Sequence, residues 1–224
     1  MRTGKERSSS TRSIKQRVAR ILSKLHHAMP NATVELDHRN PLQLLIATIL
    51  SAQCTDRRVN QVTPALFSRY TDAADYAKAD PTELEAMIMP TGFYKSKARS
   101  VIGTGKMLLE RFGGKVPQTM EELVQLPGVG RKTANVLLGH CFDLPAVVVD
   151  THVKRVAHRL GLTASEDPEV IEQDLQGVIP LEQWTSGSEL LLLHGRYVCV
   201  AKRPKCEQCP IYTECPWEGK RPRC

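Results

Sequence analysis

Apolar residues recur at every third or fourth position along nearly the whole chain, the repeat expected of one face of a helix. Residues 14–29 show it first. Asn40-Pro41 then marks a helix start, an N-cap followed by proline at the first helical position. The helix it opens, 42–50, is apolar almost all round and is predicted to be buried. Thr55-Asp56 begins the next, running to about Tyr70. Residues 75–79 and 81–89 read as short helices and 96–112 as a longer one. Thr119 and Glu122 have the S/T-x-x-E spacing of a capping box, for a helix ending near Gln125. Segments 131–140, 150–160, 169–177 and 185–197 complete the set. The one β-branched run, 146–149, is short enough to be a buried connector, and nothing alternates with period two for long. The predicted fold is all-α.

Composition narrows the class. A chain of 224 residues, 41% apolar, makes one large domain or two small ones and buries a core without disulfides. No run of 18 apolar residues occurs, so no segment is predicted to span a membrane. Residues 1–17 are basic and Ser-rich, with no apolar stretch of the kind a secretory signal needs, and are expected to form a disordered tail. Seven cysteines in such a chain suggest metal or cluster ligation rather than a disulfide framework. The net charge of +7 is gathered at the two ends. Six basic residues stand against one acidic in 1–17, and seven against three in 196–224. That distribution suits a polyanion partner; a solvated, solubilising tail is the alternative.

Three stretches carry chemistry. Leu126-Pro127-Gly128-Val129-Gly130 joins two helices by a short turn whose glycines allow positive φ and leave backbone N–H groups uncovered. Set at a helix N-terminus, such amides hold a phosphate without reading sequence, and Arg131 adds a cation beside them. A Walker A loop is excluded: the first glycine is at the wrong spacing, and the preceding segment is helical where a strand is required. Lys132 follows in the first turn of the second helix, beside Arg131. The helix dipole and the neighbouring cation both favour its neutral amine, as partial burial would, and a neutral amine is what Schiff-base chemistry uses. A lysine there that only contacts phosphate is the plainer alternative. Finally, Cys199, Cys206, Cys209 and Cys215 have the spacing C-x6-C-x2-C-x5-C. Four thiolates so close in sequence suit one metal centre, a [4Fe–4S] cluster in preference to zinc, since only one C-x2-C pair is present. Lys202, Arg203 and Lys205 make the first gap a basic loop that a cluster would order and offer to DNA. Cys54, Cys141 and Cys224 stand apart from this set.

Hairpin, lysine and cysteine spacing together resemble the endonuclease III family of the helix-hairpin-helix DNA glycosylases. The stretches that carry the resemblance are Leu50-Ser51-Ala52-Gln53-Cys54-Thr55-Asp56, Gly92-Phe93-Tyr94-Lys95-Ser96-Lys97-Ala98 and Leu126 through Val136. Val149-Asp150-Thr151-His152, His194-Gly195-Arg196-Tyr197 and the four cysteines follow in order, so that it covers residues 14–216. It implies two helical domains: a six-helix barrel over about 34–144, and a [4Fe–4S] cluster domain from 18–33 with 145–224. Duplex DNA carrying oxidised pyrimidines or abasic sites would lie in the cleft between them. The expected activity is a DNA glycosylase joined to an AP lyase, acting as a monomer with no membrane partner, in the cytoplasm and nucleoid if the source is bacterial.

By position Lys132 looks like the nucleophile and Asp150 its partner carboxylate; Asp150 also reads as a plain N-cap. Gln53 aligns with the residue that fills the gap left by a flipped base, and Phe93 with the opposing wedge, where the family pattern has an aliphatic residue. A buried core Phe93 is the alternative. His152 and His194 read as hydrogen-bonding core residues. Adenine-removing relatives lack the lysine, and relatives that remove oxidised guanine lack the cysteines. Outside enzymes, a non-catalytic DNA-binding module with a zinc site is the competing reading.

Overall fold

The computed structural model describes residues 4–222, with side chains placed from residue 12 onward. Cys224 lies outside the described residues. Among them every regular element is helical, as the periodicity predicts: α1 (Gly4–Ala28), α2 (Pro41–Leu50), α3 (Asp56–Arg69), α4 (Ala73–Ala77), α5 (Pro81–Ile88), α6 (Tyr94–Phe112), α7 (Met120–Leu123), α8 (Arg131–Cys141), α9 (Thr151–Arg159), α10 (Pro168–Val178) and α11 (Trp184–Tyr197). They gather into two compact units, Val34–Leu144 and the discontinuous pair Met1–Thr33 with Pro145–Cys224.

In the continuous unit, local capping sets most boundaries. Asn40 accepts the Gln43 N–H at 2.9 Å and so starts α2, whose residues from Leu44 to Leu50 are all buried. Thr55 caps α3 through the Arg58 N–H. α4 starts two residues earlier than its apolar pattern suggests, because the Asp72 carboxylate takes the Asp75 N–H. The predicted capping box is present in altered form. Thr119 accepts the Glu122 N–H at 3.3 Å, but the Glu122 carboxylate bonds the Thr119 hydroxyl at 2.8 Å rather than a backbone amide.

The other unit differs from expectation at its start. α1 takes in residues 4–17, which read as a disordered tail. Beyond Gly4 this stretch has no proline or glycine, and Val18, Ile21, Leu22 and Leu25 are buried along the same helix. An anchored helix extends backward through Lys, Glu and Arg at little cost, since its nucleus already exists. The β-branched connector 146–149 is buried without a strand partner. Hydroxyls of α11 supply what a ladder would: Thr185 Oγ1 accepts from Ala146 N–H at 3.2 Å and Ser188 Oγ from Val148 N–H at 3.1 Å.

Candidate active site and cluster pocket

The hairpin is fastened from beneath. Leu126 and Val129 are buried, and Thr104 on α6 donates its hydroxyl to the Pro127 carbonyl at 3.0 Å. Gly128 has φ +80°, and a Cβ there would lie 2.9 Å from the Cβ of Ser100, so both backbone and space demand glycine. Two expectations change here. Gly130 does not use positive φ; it is an extended N-cap with φ −102°, and a Cβ would meet nothing within 4 Å. Its value is open approach from outside. The Val129 side chain is buried and its N–H bonds the Leu126 carbonyl at 3.0 Å, which leaves only its carbonyl for an outside partner. It anchors the turn.

No side chain caps α8. Ala134 is the first residue to bond back, to the Gly130 carbonyl at 3.0 Å, so the amides of Lys132 and Thr133 have no partner within the helix. Lys132 and Arg131 are both exposed on this first turn, so the partial burial allowed for at Lys132 is not found.

Asp150 is the N-cap of α9. Its Oδ1 accepts the N–H groups of His152 and Val153, each at 2.8 Å, which fixes the carboxylate and leaves Oδ2 without a hydrogen bond among the described residues. The capping reading therefore holds, and it orients the group rather than consuming it. His152 is half-buried, with Nδ1 3.1 Å from Arg155 Nη2. His194 is fully buried, and burial pushes it down to about 4.

Gln53 and Phe93 share an unusual backbone. Both are exposed and left-handed, with φ +52° and +47°. Phe93 is 66% exposed, so it is not a core residue. Behind it, buried Lys97 donates to the Thr91 carbonyl at 2.8 Å and steadies the turn; burial pulls its ammonium below the usual lysine range.

Cys199, Cys206, Cys209 and Cys215 line one pocket, walled by Val156, Leu160, His194 and Ile211. Among the described residues no three Cys, His, Asp or Glu side chains stand close enough to hold a single ion. The thiols surround a space rather than a point, which fits a polynuclear group. Burial raises the Cys199 thiol, against a counter-pull from Arg159, and pushes Cys209 up to about 11. Four thiols gathered on one pocket are the donor set that an iron–sulfur cluster takes as thiolates. Lys202, Arg203 and Lys205 are exposed on the loop between Cys199 and Cys206, with Arg203 at φ +56°. By contrast Cys54 and Cys141 are separate half-buried thiols, Cys141 pushed up to about 11 by burial.

Two arginines beside this pocket carry no local sequence signal. Arg155 donates to the carbonyls of Cys199 at 3.0 Å and Gly195 at 2.7 Å, and Arg159 reaches the Cys199 sulfur at 3.2 Å. Their spacing of four puts them on one face of α9, but nothing local says what that face meets.

An all-helical fold with a glycine hairpin, an exposed lysine behind it and a four-thiol pocket defines a helix-hairpin-helix repair glycosylase. The chain belongs to the HhH-GPD superfamily of base excision DNA repair proteins, whose model matches residues 46–181. Residues 199–215 match the iron–sulfur binding domain of endonuclease III. Endonuclease III of Synechocystis sp. is 53% identical over 203 residues, 90% of this chain and 93% of that protein. A non-covalent endonuclease III–DNA complex superposes with a TM-score of 0.86 at 43% identity, over 90% of this chain and 95% of that one. A trapped endonuclease III–DNA covalent intermediate gives 0.85 at 43%, with the same coverage.

Proposed function

We infer that this chain is a bifunctional DNA glycosylase and AP lyase of base excision repair, with Lys132 as its nucleophile and Asp150 as the carboxylate that assists it. It acts on duplex DNA carrying damaged bases, here oxidised pyrimidines. The observation that carries the role of Lys132 is its place: an exposed amine on the first turn of α8, beside the open backbone of Gly130. Amides there hold a phosphate and so bring the adjoining sugar to the amine. We further place the enzyme with the bacterial chromosome, working as a monomer. No helix among the described residues is long and apolar enough to cross a membrane.

A base inside the duplex is out of reach, so the nucleotide is turned out of the stack. Gln53 and Phe93 fill the gap, and their fixed left-handed backbone sets them outward before DNA arrives. As the base leaves, its glycosidic electron pair goes with it and positive charge grows on the sugar. Asp150 stabilises that charge and takes a proton from the Lys132 ammonium. Lys132 Nζ then bonds C1′; the sugar ring opens and the adduct becomes an imine. The imine acidifies the C2′ proton, and its loss expels the 3′ phosphate by β-elimination.

Cys199, Cys206, Cys209 and Cys215 would hold a [4Fe–4S] cluster, whose iron–thiolate bonds would cross-link the loop 199–215. Lys202, Arg203 and Lys205 on that loop, with the hairpin backbone at Gly128 and Gly130 and the Arg131 side chain, bind phosphates.

Borohydride trapping tests the assignment. With an oxidised-pyrimidine duplex, the wild-type chain yields a covalent adduct at residue 132. Lys132→Gln loses adduct and strand cleavage while still binding DNA. Asp150→Asn slows base release but keeps measurable cleavage of preformed abasic sites. A Lys132→Gln protein cutting abasic DNA at the wild-type rate overturns the reading.

A further inference from the structure

Arg159 closes α9, half-buried, and its guanidinium makes an unusual number of bonds to one short segment. Nη1 donates to Cys199 Sγ at 3.2 Å, to the Cys199 carbonyl at 3.3 Å and to the Val200 carbonyl at 2.9 Å. Nη2 donates to the Ala201 carbonyl at 3.1 Å. The plane lies over the Trp217 ring, 4.1 Å from its centroid, so its orientation is set from both sides. At the other end of the loop the Lys205 N–H bonds the Val198 carbonyl at 3.0 Å. Between these ties stand exposed Lys202 and Arg203, the latter in a left-handed conformation that must be held in place.

We propose that Arg159 is the positioning residue of the cluster loop: one guanidinium grips the first cluster thiolate and the three carbonyls that precede Lys202, and so sets both cluster retention and the loop's hold on DNA. The sulfur bond is charge-assisted once Cys199 is a thiolate, and an N–H···S bond to a ligand resists loss of that ligand on oxidation. The carbonyl bonds fix the backbone from which Lys202 and Arg203 project. Lysine is no substitute, because a single ammonium does not reach four acceptors shared between the two ends of a guanidinium. The DNA half rests on the reading of Lys202 and Arg203 as phosphate contacts.

The test uses holoprotein carrying Arg159→Gln, Arg159→Lys, or Lys202→Ala with Arg203→Ala. Three quantities are followed: loss of visible absorbance under ferricyanide, affinity for a duplex with a reduced abasic-site analogue across salt, and the turnover rate at saturating DNA. Arg159→Gln is expected to lose its cluster about tenfold faster. Its log affinity against log salt flattens by about two, more than the one charge removed explains. Turnover at saturating DNA stays near wild type. The double alanine variant flattens the salt slope equally but keeps the wild-type rate of cluster loss. Arg159→Lys keeps the charge, and is expected to follow Arg159→Gln in cluster loss; it carries the comparison if the glutamine variant does not accumulate. Arg159 variants with wild-type cluster loss and salt slope overturn the proposal. A double alanine variant that binds like wild type overturns the loop's reading as a DNA contact and with it the DNA half of the proposal, leaving the cluster half to stand or fall on the ferricyanide rates.

Discussion

Between residues 126 and 130 the chain turns on its own packing: Leu126 and Val129 are buried, Gly128 fits against Ser100, and one hydroxyl from Thr104 ties the far side. Between residues 199 and 215 the buried side chains are fewer, Pro204 and Ile211 beside Cys206 and Cys209, and much of the loop is held by bonds from outside it. Arg155 and Arg159 take its carbonyls at one end. At the other, Lys220 takes the Cys215 carbonyl at 2.7 Å, while Arg20 and Lys24 pair with Glu214. A turn that packs is stable by itself. A loop held mostly by bonds from elsewhere depends on its partners, and its four thiols depend on the cluster as well.

The comparison breaks most sharply by removing a ligand. Cys209→Ser should release the cluster and expose amides 199–215 to hydrogen exchange, while amides of α8 stay protected. Equal loss of protection in α8 would show the hairpin to be no more independent than the loop. Next comes Gly128→Ala, which combines left-handed strain with a 2.9 Å clash and should destabilise by about 3 kcal/mol in denaturant titration. Wild-type stability there would mean the hairpin is loose. Phe93→Ala should leave stability unchanged yet slow excision from duplex by about tenfold or more, with little effect on single strands, since the lost contact only offsets unstacking. Equal losses on both substrates would deny the wedge. Smallest is Thr119→Ala, which removes the cap of α7 before the hairpin and should lower stability by about 1 kcal/mol. A thermal melt resolves that shift, and its absence would place the hairpin's support wholly in α6.

Legibility followed locality. Asn40, Thr55, Thr119 and Asp150 announced their helices because a cap is decided within three residues. That the four cysteines would gather and that Lys132 would open a helix was legible for a similar reason, since both follow from residue types at short spacing. Asp72 hid behind an apolar pattern that begins after it. Gly130 was expected to share the backbone of Gly128, and only the fold separates a required glycine from an open one. Arg155 and Arg159 lay beyond reach, since their acceptors are about 40 residues away in sequence.

The left-handed backbone at Gln53 and Phe93 has a consequence for laboratory evolution. A side chain in that region costs about 1–2 kcal/mol that glycine does not incur. A selection for heat resistance that ignores activity would therefore enrich glycine at both positions, and on the proposed wedge role those tougher molecules would open DNA poorly. With Asp143 and Arg203 they are the non-glycine residues that keep this less comfortable backbone among the described residues.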